Sequence, residues 1–257
     1  MYSAGPVEQF IYTLRASHPL VIPQIDPSSL SKNSVDTLLD GLKKIGIKII
    51  AIGGSITDSK SMQAVIDAAC ARDLYCIVYA DTSAFGVYGK KDHTAIYWMN
   101  ILNAENPFFS RDLLIQNVLS LSNSNLEPIP TAYVFDERNC NSAARWVSRA
   151  NPIPREKPYL SLCIALSAQF SGSRFYIMAG GSGCPLLPPK DHIELLRKKT
   201  NLFLIPTSGI RSAADASKMF EAGADAIHVG NILESKGGLA IVESMIVASK
   251  KYPGRTF

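Results

Sequence analysis

Oxygen-bearing side chains follow two short apolar runs in the first quarter of the chain. Asp26 stands in "QIDPSS" and Ser55 stands in "GGSITD", each directly after its run. A carboxylate and a hydroxyl suit Mg²⁺, which prefers oxygen ligands, keeps several waters and is bound together with substrate phosphates. The pair therefore predicts a magnesium site, with Asp58 and Asp81 as neighbouring alternatives. A single aspartate before proline is also typical of an ordinary turn.

A second pair of run ends lies near the end of the chain. The stretch "FLIPTSGIRSAADASKMFEAGADAIHVGN" holds two apolar runs about one helix apart, and each opens into glycine or hydroxyl residues. In a barrel these ends would follow the seventh and eighth strands, where loop amides and a helix N-terminus commonly bind phosphate. We expect a phosphate site built from Thr207, Ser208, Gly209, Arg211, Gly230 and Asn231. Ordinary turn and capping residues are the alternative interpretation.

A glycine run follows another apolar run, in "FYIMAGGSGCP". We expect Tyr176 and Met178 at the mouth of the fold, and Ser182 within hydrogen-bonding reach of a bound ligand. Glycines permit a close approach of the backbone to such a ligand. A mobile loop is the alternative.

Histidines and cysteines indicate no further reactive site. The histidines form no paired constellation, and neither a Ser-His-Asp nor an HExxH pattern is present, so acid–base hydrolysis is disfavoured. The five cysteines have no CxxC spacing, which indicates reduced core or pocket residues. The histidines are His18, His93, His192 and His228.

The elements that must position these residues repeat along the chain as an apolar run, a polar or glycine-rich ending and a helical stretch. This rhythm is typical of βα units. We expect strands in "LVIPQID", "IKIIAIGGS", "LYCIVYAD", "AIYWMNIL", "TAYVFDE", "RFYIMAGG", "NLFLIPTSG" and "DAIHVGN".

Helical patterns lie between several of these runs. "SVDTLLDGLKKIG" has helical apolar spacing from Val35 and ends at Gly46, a typical C-cap. "SAADASKMFEAGA" is expected to begin with an N-cap at Ser212, and "SMQAVIDAACARD" with a cap at Ser59 or Ser61.

Continuous apolar strands between amphipathic helices indicate a parallel sheet covered by helices. Eight such units in 257 residues favour a closed (β/α)8 TIM barrel of the α/β class over an open doubly wound sheet. We expect a single domain over residues 1–257, with a helix in residues 1–17 closing the end opposite the active mouth. The Pro-rich stretches 120–130 and 150–160 are expected to be surface loops.

The charge pattern disfavours one class of partner. The formal charge of +4 comes from 26 basic and 22 acidic residues that are mostly scattered, which is too weak for nucleic-acid binding. It suits an anionic small substrate and leaves open a peripheral contact with an acidic lipid surface, but such a pattern more often describes a solvated basic face. Because no apolar run reaches the ~18 residues that span a bilayer, we expect a cytoplasmic protein.

Five motifs, in this order and spacing, resemble one enzyme family over residues 18–233. They are "IDPSS", "GGSITD", "ILNAENP", "IPREKPYLSLCIALSAQFSGSRFYIMAGGSG" and "GIRSAADASKMFEAGADAIHVGN". They are similar to the geranylgeranylglyceryl phosphate synthase family of TIM-barrel prenyltransferases, which includes the bacterial PcrB proteins and a moenomycin-pathway enzyme.

The resemblance implies transfer of a polyprenyl group from its Mg²⁺-bound diphosphate to the hydroxyl of a small phosphorylated three-carbon acceptor, without a redox cofactor. It implies that Asp26 and Ser55 bind the metal and the diphosphate, and that Asp26 and Tyr176 are the catalytic residues. The strand-seven and strand-eight residues given above would hold the acceptor phosphate. An apolar groove from Tyr97, Trp98, Ile101 and Phe135 would take the chain. We also expect a homo-oligomer, since such barrels commonly pair through outer helices.

Three departures from the family pattern concern the acceptor. Gln24 replaces the usual lysine, Met178 replaces a glutamate after Tyr-x, and Thr207 and Ser208 replace glycines of GGGI; Gly180-Gly181 reads as an insertion. Loss of a carboxylate removes a partner for glycerol hydroxyls and would tolerate a carboxylate on the acceptor. We therefore expect the acceptor to be glycerol phosphate or a phosphoglycerate-like acid, with loss of catalysis as the other consequence of this change. A phosphate-binding barrel lyase or isomerase, with Asp136 or Glu137 as base, and a catalytically inactive ligand-binding barrel are the alternatives.

Overall fold

Eight apolar runs form eight parallel strands that close into a barrel in chain order. The computed structural model describes residues 3–29, 32–54, 57–79, 84–138, 140 and 142–257. The strands are β1 (Leu20–Ile25), β2 (Ile49–Ile52), β3 (Tyr75–Tyr79), β4 (Thr94–Ile101), β5 (Glu127–Phe135), β6 (Phe175–Ala179), β7 (Phe203–Thr207) and β8 (Ala226–Val229). The predicted (β/α)8 fold is confirmed, since an α-helix follows every strand except β3, where the described residues before β4 form only a 3₁₀ turn, Ala84–Gly86.

Most helices of the described residues cover the outside of the barrel, and α1 lies across one end of it. They are α1 (Pro6–Arg15), α2 (Lys32–Lys44), α3 (Ser59–Cys70), α4 (Leu113–Ser122), α5 (Ala143–Ser148), α6 (Pro158–Phe170), α7 (Lys190–Lys199), α8 (Ala213–Glu221) and α9 (Gly238–Ser249). A 3₁₀ turn, Asn231–Glu234, follows β8. None of these helices is both long and apolar enough to cross a membrane.

Alternate residues of each strand enter two different apolar layers, as the two-residue period of a strand requires. Ile22, Ile77 and Ile177 belong to the cluster inside the barrel. Val78 and Tyr176 belong to the larger cluster between the strands and the helices. This alternation decides which residues at the strand ends can face a ligand.

Helix α1 closes the end of the barrel opposite the site, as expected. Val7 and Ile11 pack into the inner cluster. The carboxylate of Glu127, at the start of β5, accepts hydrogen bonds from the backbone N–H groups of Val7 at 2.6 Å and Glu8 at 3.0 Å. It thereby satisfies two donors of the first helical turn.

Strand β5 starts earlier than the sequence predicted, because two prolines in the expected loop 120–130 are part of it. Pro130 accepts a hydrogen bond from the N–H of Arg174, so its polar groups face β6. Pro128 has the same orientation by its two-residue spacing. Pairing with β6 begins only at Thr131, so the N–H groups that these prolines lack would meet no strand partner.

The cap of α3 is also corrected. Asp58, and neither Ser59 nor Ser61, is the N-cap: its carboxylate accepts from the Ser61 N–H at 2.9 Å. This bond and one from the Ser61 hydroxyl lower the pKa of Asp58. The predicted Ser212 cap of α8 is confirmed, with the Asp215 N–H donating to its hydroxyl at 3.1 Å.

Candidate active site

A cavity of about 800 Å³ opens at the carboxyl ends of the strands. The structure brings most of the predicted site residues together on its wall. Asp26 is among them, and so are Ser182, Thr207, Ser208, Gly209, Arg211, Gly230 and Asn231. Residues remote in sequence thus line one cavity at the carboxyl ends of the strands, where enzymes with this fold have their active sites.

The turn after β7 has the backbone conformation of an anion-binding loop. Ser208 and Gly209 both have positive φ, at 69° and 77°. A Cβ on Gly209 would lie 2.1 Å from the carbonyl oxygen of Leu186, so only glycine fits. Consecutive N–H groups in such turns, together with the start of the 3₁₀ turn at Asn231, are suited to phosphate.

Arg138 fixes this turn from beneath, and sequence reasoning missed it. Its guanidinium donates to the carbonyl oxygens of Thr207 and Ser208, each at 2.8 Å. Asp136 holds the same guanidinium through two hydrogen bonds. Both side chains are buried, so Arg138 supports the loop and does not contact a ligand.

Arg211 lies at the cavity wall and also joins two loops. Its guanidinium donates to the carbonyl oxygens of Cys184 at 2.7 Å and Pro185 at 3.2 Å. The positive charge therefore stays beside the turn after β7, where it favours an anion. Gln24, at the departure from the family lysine, lines the cavity and donates to the carbonyl oxygen of Gly53 at 3.3 Å.

The glycine run after β6 is explained by packing within the protein. A Cβ on Gly180 would lie 2.7 Å from the sulfur of Cys184 and 2.8 Å from Nε of Arg138. A Cβ on Gly181 would lie 2.5 Å from the hydroxyl oxygen of Ser142. These glycines let the backbone pass close to Arg138, while Ser182 is exposed at the mouth.

Asp26 is held at the mouth by hydroxyl groups. Its Oδ1 accepts from the Ser28 N–H at 3.0 Å, the Ser28 hydroxyl at 2.7 Å and the Thr57 hydroxyl at 3.2 Å. A Cβ on Gly54 would lie 2.1 Å from Oδ2, so a larger residue at this strand end would displace the carboxylate. Ser55, the second predicted metal ligand, lies outside the described residues, and so does Asp81.

This arrangement fits Mg²⁺ only as an ion shared with a substrate. Within the described parts of the chain, no three His, Cys, Asp or Glu side chains form a group that could hold a metal. The protein therefore offers the carboxylate of Asp26 with hydroxyls beside it. Such a donor set is typical of Mg²⁺ that is otherwise bound by phosphate oxygens and water.

The other part of the cavity is apolar. Ile101 and Phe135 line it as predicted. Tyr97 and Trp98 do not, because Tyr97 is fully buried inside the barrel and Trp98 packs against the helix-facing layer. The remaining apolar lining includes Met99, Phe109, Leu113, Tyr133, Ala144 and Val147.

The expectation that Tyr176 and Met178 lie at the mouth is wrong. Both side chains are buried in the layer between barrel and helices, and the Tyr176 hydroxyl has no hydrogen-bond partner among the described residues. Strand parity instead turns Ile177 and Ala179 inward. Both inward positions are apolar, so β6 supplies no carboxylate to the cavity.

The floor of the cavity holds a polar group that the sequence did not reveal. His228 lies inside the barrel between two tyrosines: Nδ1 is hydrogen-bonded to the Tyr79 hydroxyl, and Nε2 to the Tyr97 hydroxyl at 3.0 Å. Burial lowers the pKa of His228 to about 3. The imidazole is therefore neutral at pH 7. His228 and Tyr79 line the cavity, whereas Tyr97 lies behind them.

Comparisons with known proteins agree with this geometry. The PcrB family model matches residues 15–251. The chain is 31% identical over 240 residues to a geranylgeranylglyceryl phosphate synthase of Thermococcus gammatolerans, covering 93% of this chain and 94% of that protein. It is 32% identical over 236 residues to the enzyme of the same name from Pyrococcus furiosus, covering 91% and 92%.

A solved structure is similar over nearly the whole chain. It is the crystal structure of (S)-3-O-geranylgeranylglyceryl phosphate synthase from Thermoplasma acidophilum in complex with its substrate sn-glycerol-1-phosphate. The TM-score is 0.86 at 25% identity, covering 95% of this chain and 98% of that one. The chain described here therefore belongs to the PcrB family of TIM-barrel enzymes.

Proposed function

We propose that this PcrB-family enzyme is a Mg²⁺-dependent prenyltransferase that moves a polyprenyl group from its diphosphate to the hydroxyl of a small phosphorylated three-carbon acceptor. The observation that carries the proposal is the division of one cavity. A phosphate-binding turn at Ser208 and Gly209 and an apolar wall around Phe135 lie in the same space, with Asp26 on its rim. A substrate pair with one phosphate, one diphosphate and one long apolar chain matches this division.

In the proposed reaction the acceptor oxygen forms a bond to the allylic carbon, the carbon–oxygen bond to the diphosphate breaks and the diphosphate leaves with the bonding electrons, and the hydroxyl proton passes to the departing diphosphate or to water. The turn at Ser208 and Gly209 would hold the acceptor phosphate, and the apolar wall would hold the chain. Holding both reactants converts an encounter of two molecules into a reaction within one complex. Asp26 would hold Mg²⁺, which stabilises negative charge on a leaving diphosphate when bound.

The acceptor is proposed to be glycerol phosphate or a phosphoglycerate-like acid. The related Thermoplasma acidophilum enzyme binds sn-glycerol-1-phosphate, which supports the first. The inward positions of β6 are Ile177 and Ala179, so no carboxylate there would repel an acidic acceptor. This supports the phosphoglycerate-like acid. The support now comes from the inward residues of β6 and not from Met178, on which the sequence argument relied.

The lyase or isomerase alternative loses its proposed bases. Asp136 is buried and ion-paired with Arg138, and Glu137 is exposed outside the cavity. A catalytically inactive barrel would have the same geometry, so only a turnover assay distinguishes it from the transferase.

A peripheral membrane contact and a homo-oligomer are further parts of the proposal. Trp146, 80% exposed, stands with Arg145 and Arg149 at a hollow that shares Phe109 and Val147 with the apolar part of the cavity. Aromatic and basic side chains together favour an acidic lipid surface. Vesicle co-sedimentation tests the membrane contact, which is refuted if the protein does not bind acidic vesicles.

Exposed apolar side chains on outer helices favour self-association; they include Ile115 and Leu119 on α4 and Tyr159 and Phe170 on α6. Sedimentation velocity tests the oligomer, which is refuted if the protein is a monomer.

Calorimetric titration tests the proposed division of the cavity. Farnesyl and geranylgeranyl diphosphate should bind in the presence of Mg²⁺ and more weakly with chelator, while inorganic phosphate should compete with glycerol 1-phosphate and not with the prenyl chain. The Phe135→Asp variant places a charge in the apolar part and should weaken prenyl diphosphate binding alone. Equal loss of phosphate and prenyl diphosphate affinity in that variant would contradict separate subsites.

A further inference from the structure

The cluster of Tyr79, His228 and Tyr97 on the cavity floor has no role in the function proposed so far. Its members come from β3, β8 and β4 and meet inside the barrel. Burial raises the pKa of both phenols, so both stay protonated at neutral pH. Burial also keeps His228 neutral. The cluster is therefore uncharged and carries three polar hydrogens, one on each phenol and one on the imidazole.

Two of those hydrogens are used within the cluster, and the third is left over. If the imidazole proton is on Nε2, it is donated to Tyr97, Tyr79 donates to Nδ1, and the spare hydrogen is that of Tyr97. If the proton is on Nδ1, it is donated to Tyr79, Tyr97 donates to Nε2, and the spare hydrogen is that of Tyr79. The two arrangements differ in which phenol needs another partner.

Burial favours the second arrangement. Tyr97 is 0% exposed and does not line the cavity, and its hydroxyl contacts only His228 among the hydrogen bonds of the described residues. An unpaired hydroxyl hydrogen at that depth is destabilising, because the buried donor has lost its water partner and gained no other. Tyr79 is 9% exposed and lines the cavity, where a ligand or water can accept from it.

The position of Tyr79 shows what that hydrogen can meet. The backbone of Gly53 packs closely against Tyr79, since a Cβ on Gly53 would lie 2.9 Å from the Tyr79 Cβ. The next residue, Gly54, packs on Asp26, and His228 comes two residues before Gly230 of the phosphate site. Tyr79 therefore packs beside the strand end that adjoins Asp26, while its hydroxyl reaches across to His228 on β8, the strand that leads to the candidate phosphate site. The carbon part of an acceptor that extends from that phosphate site toward Asp26 would lie next to this hydroxyl.

We propose that the Tyr79 hydroxyl donates a hydrogen bond to a non-phosphate oxygen of the acceptor, with His228 and Tyr97 as positioning residues that turn this hydrogen toward the cavity. The inference rests on the proposed function, because it assumes a phosphorylated acceptor in the turn after β7. The ligand chemistry is an oxygen lone pair on the acceptor carbons, supplied by a hydroxyl or by a carboxylate.

Affinities of three ligands test the donor. Glycerol 1-phosphate and 3-phosphoglycerate carry such an oxygen, whereas inorganic phosphate has none. In Tyr79→Phe we expect the affinity for at least one of the organic ligands to fall about tenfold, the effect of one hydrogen bond, with unchanged affinity for inorganic phosphate. The ligand that loses more affinity identifies the oxygen as hydroxyl or carboxylate. Tyr252→Phe, which changes a tyrosine packed on Phe220 outside the cavity, is the matched control and should change none of them.

The outcomes separate this inference from the proposed function. A wild-type protein that binds none of the three ligands would refute the acceptor site and, with it, this inference. If the wild-type protein binds the ligands and Tyr79→Phe binds each of them with the affinity of the wild type, the inference alone is refuted.

Nitrogen-15 NMR of the histidine side chains tests the positioning roles, with His228→Leu assigning the signal. We expect Nδ1 to be protonated and Nε2 to be the hydrogen-bond acceptor in wild type. In Tyr97→Phe neither tautomer keeps a hydrogen bond at Nε2, but the unpaired Tyr97 hydrogen that disfavoured the Nε2-protonated form is gone. That form should therefore gain population, while acceptor affinity falls and phosphate affinity does not. A wild-type proton on Nε2, or an unchanged tautomer and acceptor affinity in Tyr97→Phe, would overturn the positioning.

Discussion

Asp136 and Arg138 form a buried ion pair with two hydrogen bonds, and neither side chain is exposed to solvent. The pair connects the end of β5 to the turn after β7, because the same guanidinium donates to the carbonyl oxygens of Thr207 and Ser208. With those carbonyl groups bound beneath the turn, its N–H groups are left to face the cavity. The position of the candidate phosphate site therefore depends on a pair that no ligand touches.

Removing one member of this pair should be worse for stability than removing both. In Arg138→Met the carboxylate of Asp136 is left buried without its partner, which should lower the free energy of unfolding by about 3–5 kcal/mol. The double variant Arg138→Met with Asp136→Leu should recover most of that loss but keep a raised KM for the acceptor, because the turn has lost its support. Urea unfolding and kinetics measure the two effects; a single variant within about 1 kcal/mol of wild type would contradict a buried pair.

Gly209→Ala tests the shape of the phosphate turn. The added Cβ would lie 2.1 Å from the Leu186 carbonyl oxygen, so the turn must move and the KM for the acceptor should rise at least about tenfold. Gly172→Ala is the matched control: its φ of 97° imposes a similar backbone strain, but no atom lies within 4 Å of the new Cβ. It should cost roughly 1 kcal/mol of stability and leave KM unchanged. The same KM change in both variants would indicate general strain and not a specific turn.

Asp26→Asn tests the metal role. The variant keeps the shape and hydrogen-bonding capacity of the side chain but removes its charge, so we expect kcat to fall at least about a hundredfold without loss of fold. Asp58→Asn is the control, since asparagine caps a helix as well as aspartate and this carboxylate lies outside the cavity. Circular dichroism verifies the fold, and donor affinity should no longer depend on Mg²⁺ in Asp26→Asn. Full turnover at saturating donor would refute the role given to Asp26.

Below neutral pH, the free energy of unfolding should fall because of His228. Burial sets the pKa of His228 to about 3, whereas an unfolded histidine has a pKa of about 6.5. The unfolded state therefore binds a proton that the folded state does not, so the stabilising effect of high pH is lost as pH falls from about 6.5 toward about 3. Between pH 6 and pH 5 wild type should lose about 1 kcal/mol more than His228→Gln in urea unfolding. Parallel profiles for the two proteins would contradict a buried neutral imidazole.

The fold could be predicted from the sequence because the local pattern of apolar residues indicates most of the strands and helices. The apolar runs are short and continuous, as in strands buried on both faces, and the helices between them show a 3.6-residue period. The residues predicted to hold phosphate do line the cavity, since they lie directly after β7 and β8 at the ends that this fold uses, and their role in phosphate binding stays a prediction. The early start of β5 escaped, because Pro128 and Pro130 are ordinarily signals against a strand. The Asp58 cap of α3 and the start of α6 at Pro158, inside the expected loop 150–160, escaped as well.

The errors at the site come from orientation and from long-range contacts. A shift of one residue moves every side chain of a strand to its other face, so counting the family motif from Tyr176 placed the wrong residues of β6 in the cavity. His228 stands 149 residues from Tyr79 and 131 from Tyr97, and only the register of the closed barrel brings them together. Arg138 lies on an irregular segment that has no period to indicate its partners.

The most direct test of the central claim is a turnover assay with labelled farnesyl and geranylgeranyl diphosphate. Each donor is offered glycerol 1-phosphate, glycerol 3-phosphate and 3-phosphoglycerate with Mg²⁺ or with chelator, and products are resolved by mass. We predict a prenyl ether of one phosphorylated acceptor that forms only with Mg²⁺ and disappears in Asp26→Asn. Binding of both substrates without any prenyl ether, under conditions in which a related synthase is active, would contradict the prenyltransferase and favour a barrel that binds these ligands without reacting them.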